Sequence, residues 1–88
     1  PGLADVFGMF ALMRYRQNRS EQALGFWNKA ISLRSKTLGT NNVEYTTLLV
    51  NKAISEASLS KMPEASQNLR QALEILAQMS HATFTVLS

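Results

Sequence analysis

ALGFWNKAI at residues 23–31 and ASQNLRQAL at residues 65–73 stand 42 positions apart. In each run an alanine, Ala23 or Ala65, is followed four residues later by a large apolar side chain, Trp27 or Leu69. A second alanine, Ala30 or Ala72, comes three residues after that. Helical periodicity puts the three side chains of each run on one face. A small, large, small stripe lets two helices approach closely, and its recurrence predicts a chain built by repetition. Repeat proteins act through the surfaces their stacked units present.

Turn chemistry around these runs sets the helix boundaries. A first helix is expected from about Leu3 to Gln17, interrupted by Asn18-Arg19-Ser20. Ser20 reads as the N-cap of the second helix, with Glu21 favourable against its dipole. That helix carries Ala23, Trp27, Ala30, Ile31 and Arg34 on successive turns and stops at Gly39. Asn41 and Glu44 resemble a capping box, so a third helix is expected from about Asn42 to Leu59, with the apolar positions Tyr45, Leu48, Leu49, Ala53 and Ala57 recurring at helical spacing and Ile54 flanking them. Pro63 suits the first turn of a fourth helix, because its missing N–H has no helical partner there. That helix should run to about Met79 with Ala65, Leu69, Ala72, Leu73 and Leu76 inward. TFTVL at 83–87 echoes EYTTL at 44–48, which predicts the opening of a fifth helix over 81–88; a short strand from the same β-branched residues is the alternative.

The expected fold is therefore all-α, antiparallel hairpins stacked as a superhelix. One domain spans 1–88, with a first repeat over about 3–39, a second over about 41–79 and a partial helix after it. Eighty-eight residues, 45% of them hydrophobic and 17% charged, fit one small domain of limited buried surface. With no cysteine, disulfides and thiolate-bound metals are excluded, and a cytoplasmic setting is only the default expectation. The apolar stretch from Leu3 to Met13 is too short to span a bilayer and lacks a basic flank before it, so neither membrane insertion nor a signal peptide is expected. The opening Pro1-Gly2, without methionine, suits a piece excised from a longer array.

The net charge of +3 is concentrated before Thr40, where Arg14, Arg16, Arg19, Lys29, Arg34 and Lys36 face only Asp5 and Glu21. Weak nucleic-acid binding through this half is one alternative. The bases are strung along two helices without a dense cluster, so a solvated face is the stronger expectation.

Laid end to end, these residues resemble the tetratricopeptide repeat family, whose signature runs W-x-x-L-G-x-x-Y and then A-x-x-x-F. The first unit offers Phe7, Phe10, Ala11 and Arg14, then Ala23, Trp27 and Ala30; the second offers Leu49, Lys52, Ala53 and Glu56, then Ala65, Leu69 and Ala72. Arg14 and Glu56 replace the tyrosine, Lys52 replaces a leucine, and Asn18 or Ser60 stands where the hairpin turn often has glycine. The long unit, with SLRSKTLG at 32–39, Thr40-Asn41-Asn42 and Leu49-Val50-Asn51-Lys52-Ala53, is similar to the repeats of kinesin light chains.

The resemblance implies a protein–protein interaction or scaffold module whose A helices line a concave groove. Asn51 holds the position where an amide pins a peptide backbone, and Met9, Leu12 and Arg16 are expected beside it. Met9 in the matching place of the first unit argues against a carboxylate clamp. The first helix is apolar nearly all round: Leu3, Phe7, Phe10 and Met13 are expected to pack inward. Val6, Met9 and Leu12 are then left as an interface for a second copy or a missing neighbour. A three-helix trafficking module of the microtubule-interacting type is the remaining alternative.

Nothing points to catalysis. His81 is the sole histidine and is expected in a loop, the acids stand singly, and no glycine-rich phosphate loop occurs. The chain is expected to be no enzyme and to carry no metal or cofactor.

Overall fold

Four helices follow one another in the computed structural model, which describes the backbone of residues 2–87 and the side chains of residues 2–80. They are α1 (Leu3–Arg16), α2 (Ser20–Leu38), α3 (Val43–Ser58) and α4 (Met62–Leu87). Each packs on its predecessor, α1 with α2, α2 with α3 and α3 with α4. Two helical hairpins thereby stack into a slab of 47 × 30 × 18 Å. No strand occurs among the described residues. The all-α hairpin architecture is the expected one; four helices in two hairpins replace the three-helix alternative.

The alanine stripes form the seams of the hairpins. Ala23, Ala30, Ala65 and Ala72 are all buried, as are Ala11 of α1 and Ala53 of α3; Ala23 packs with Ala11, and Ala72 with Tyr45 and Leu49. Trp27 joins the two hairpins. It is only 4% exposed, and its Nε1 donates to Ser55 Oγ on α3 at 3.0 Å. The Ser55 hydroxyl passes a bond on to the Asn51 carbonyl at 3.2 Å.

The two hairpin turns repeat in atomic detail. Among the described non-glycine residues only Asn18 and Ser60 have positive φ, 60° and 62°, and they lie 42 positions apart. In the first turn Arg19 N–H bonds to Arg14 O (2.8 Å) and Asn18 N–H to Tyr15 O (3.0 Å). In the second, Lys61 N–H bonds to Glu56 O (2.8 Å) and Ser60 N–H to Ala57 O (3.0 Å). Both are Schellman closures, which ask for a left-handed residue, a role that asparagine tolerates better than serine. Ser60→Gly should therefore raise stability by about 0.5–1 kcal/mol and Asn18→Gly by less. A thermal melt checks this through a Tm increase of roughly 3–6 °C for Ser60→Gly; an unchanged or lower Tm contradicts it.

Between the hairpins, Gly39 sits at φ 77°, ψ −167°, a conformation open essentially to glycine alone. Asn42 clips this connection together. Its Oδ1 accepts from Tyr45 N at 2.8 Å, while its Nδ2 donates to the Gly39 and Leu38 carbonyls at 3.1 and 3.3 Å.

Several expectations are corrected. The cap of α3 is Asn42, one residue past the expected Asn41. Arg19, not Ser20, caps α2; Ser20 is buried and its hydroxyl pairs with that of Ser58 at 2.5 Å, tying α2 to α3. The helix expected to end near Met79 continues unbroken to Leu87, so its backbone passes through His81 with no separate fifth helix and no strand. No glycine or proline follows Pro63 to stop it. Ser88 and the side chains of 81–87, that of His81 included, lie outside the described residues. Ala57, though at helical spacing from the buried Ala53, is exposed. Leu3, Phe10 and Met13 on α1, and Leu69, Leu73 and Leu76 on α4, are also exposed, by two-fifths to two-thirds of their surface. The cause is position in the stack, since α1 and α4 each pack closely against one helix where α2 and α3 pack closely against two.

Candidate functional site

The A-type helices α1 and α3 lie side by side with α2 beneath them, and between them runs an open groove of about 430 Å³. From α1 come Ala4, Gly8, Met9 and Leu12; from α3 come Val43, Thr47, Leu48 and Asn51; Trp27 and Arg34 of α2 form the floor. These positions follow from helical periodicity, because residues three and four apart share the flank that faces the neighbouring helix.

Most of the wall is apolar, and its polar groups are few and placed. Arg34 reaches up from α2 to Asp5 of α1, Nη2 to Oδ1 at 2.6 Å, with the arginine side chain largely buried and the aspartate half exposed. Asp5 also accepts from the Gly2 N–H at 3.2 Å, so one carboxylate caps α1 and anchors Arg34. The Arg34 Nε is buried without a hydrogen-bond partner among the described residues. Asn51 is half-buried, and its side-chain amide makes no hydrogen bond to the described residues. Glu44 stands at the α3 end of the groove.

The structure brings three of the expected groove residues, Asn51, Met9 and Leu12, into one lining. Arg16 is exposed at the C-terminal end of α1, outside that lining. The expected interface of Val6, Met9 and Leu12 divides: Met9 and Leu12 belong to the groove, whereas Val6 is exposed outside it. Asp5, Arg34, Val43, Thr47 and Leu48 were not foreseen as groove residues. The single acid in the apolar stretch from Leu3 to Met13 was the only hint of the ion pair.

Of the basic half, Arg34 is spent on Asp5. Lys29 lies over the rings of Phe7 and Phe26, 5.5 and 5.7 Å from their centroids, and Arg14 donates to Gln17. The expected run of free bases is thereby thinned. At the position where the second unit lacks a tyrosine, Glu56 is buried and accepts from Asn68 Nδ2 at 2.6 Å, linking α3 to α4. Among the described residues no group of three or more His, Asp or Glu is placed to hold a metal ion, and no helix is long and apolar enough to cross a membrane.

Comparison with known proteins identifies a family. The family model described as tetratricopeptide repeat covers residues 3–78. No curated protein and no solved structure matches the chain significantly.

Proposed function

The chain belongs to the tetratricopeptide repeat family, whose members generally mediate protein–protein interaction, and from that premise we propose that its α1/α3 groove binds an extended segment of a partner protein. The observation that carries this is the Asn51 amide, set in an apolar wall and making no hydrogen bond to the described residues. Met9, Leu12, Val43 and Leu48 offer surface to apolar side chains, while the amide supplies one donor and one acceptor to a peptide bond. The Asp5–Arg34 pair is neutral as a unit and Glu44 is the remaining charge, so the groove favours apolar segments over acidic ones. The family is typically non-enzymatic, and a purely binding role without a cofactor is part of the proposal. The 42-residue unit further supports a place among the long-hairpin repeats similar to those of kinesin light chains.

Selection of peptides from a displayed random library on the full chain tests the groove. Asn51→Ala should weaken the selected peptides about five- to tenfold, the loss of one or two buried hydrogen bonds at about 1–1.5 kcal/mol. Amide shift changes on binding should fall on α1 and α3. Unchanged affinity, or shifts confined to other helices, would remove the groove from the function.

A second mode, self-association through α1, is favoured by the apolar side chains that this helix leaves in solvent outside the groove.

A further inference from the structure

The internal repeat says what fits the two ends of the stack. At the junction of the two hairpins, α2 offers Trp27 and Ile31, and α3 meets them with Tyr45, Leu48 and Ser55. Ile31 packs on the Tyr45 and Leu49 cluster, Leu48 on the Ala11, Ala23 and Trp27 cluster, and Ser55 accepts from Trp27. Moved 42 positions on, the α2 face becomes Leu69 and Leu73 of α4. Moved 42 positions back, the α3 face becomes Leu3, Val6 and Met13 of α1. All five are exposed, Leu73 by 67% and Val6 by 38%. Each end of the stack thus carries, in helical register, the counterpart of one side of the junction that the chain already forms in its middle. The two ends are apolar, and α1 and α4 lie at opposite ends of the packing order.

We propose that the chain self-associates head to tail, the Leu69/Leu73 face of α4 in one copy seating on the Leu3/Val6/Met13 face of α1 in the next, in the geometry of the α2–α3 junction. This rests on the self-association mode above and is independent of the groove. Such a contact joins two different surfaces, so it leaves one of each free and continues from copy to copy rather than closing as a two-fold dimer.

Sedimentation of the full chain over a rising concentration series tests it with two exposed-site variants, Val6→Glu and Leu73→Glu. The wild type should grow past a dimer without a fixed end point, and each variant alone should remain monomeric. An equimolar mixture of the two should give a 1:1 dimer and nothing larger, because only one compatible pair of faces survives. Far-UV circular dichroism verifies that each variant is folded; Met13→Glu and Met62→Glu serve as a second pair on the same two ends, Met62 being exposed two helical turns before Leu69 on the same face of α4. A wild type that stays monomeric at every concentration overturns the proposal and assigns these ends to other helices. So does a closed dimer that one variant abolishes and the other leaves intact, which would mean a two-fold contact. Peptide binding sensitive to Asn51 would stand in either case, so failure of the assembly and failure of the groove are separable.

Discussion

Trp27→Ala should leave little folded protein at 37 °C. An 88-residue domain has a total stability of about 4–13 kcal/mol, and deleting a buried tryptophan costs about 3–5 kcal/mol in transfer and cavity terms. Trp27 is 4% exposed and sits where α1, α2 and α3 meet. Its loss opens a void that α2 cannot close by shifting, since helices hold it on both sides. The indole also supplies the hydrogen bond to Ser55. Trp27→Phe separates the two contributions. It keeps most of the ring volume and loses the bond, while the Ser55 hydroxyl retains the Asn51 carbonyl as a partner, so a cost of about 1–2 kcal/mol is expected. Leu69 holds the equivalent position of the second hairpin but is 42% exposed, and Leu69→Ala should cost less than about 1.5 kcal/mol. Thermal melts followed by far-UV circular dichroism should therefore rank wild type above Leu69→Ala and Trp27→Phe, with Trp27→Ala lower by roughly 15–30 °C. A Trp27→Ala melt within a few degrees of wild type would show that the hairpins are joined elsewhere.

The contrast between Trp27 and Leu69 also shows what sequence can and cannot specify in such a fold. The seams were legible because the small, large, small pattern recurs at one spacing in both hairpins; all four seam alanines are buried. Gly39 and Pro63 marked boundaries for reasons local to the backbone. Burial of the large residues was not legible in the same way. Ile31 and Leu73 occupy one register, yet only the first meets a following helix, so the pattern specifies a packing face without supplying its neighbour. The groove was half legible. Asn51, Met9 and Leu12 fall on the A-helix flank that periodicity assigns them, but Asp5 and Arg34 are 29 residues apart and meet only once the α1–α2 crossing is known. Arg16 failed for the converse reason, being placed by spacing alone at a point where α1 has run past the groove.

That one-sidedness makes the seam alanines unequal, and overpacking them measures the inequality. Ala23 is 0% and Ala65 3% exposed, so burial alone predicts the same penalty for a leucine at either site. The surroundings differ. Enlarging Ala23 drives α2 away from α1 into α3, where Trp27 and the Ser20–Ser58 pair already fix the spacing. Enlarging Ala65 drives α4 away from α3 toward solvent, and α4 can yield as a rigid rod because no described helix lies beyond it. Overpacked cores lose about 1–3 kcal/mol when the backbone cannot adjust, and less when it can. Ala23→Leu should thus cost about 3 kcal/mol and Ala65→Leu about 1 kcal/mol, read as shifts of the urea midpoint at unchanged m-value and at a concentration where the chain is monomeric. Raising the concentration should bring the two penalties together if a second copy seats on α4, since the neighbour then resists the same displacement. Equal penalties at low concentration would show that α4 is held as firmly as α2, and the exposed leucines on its far side would then no longer mark a helix free to move.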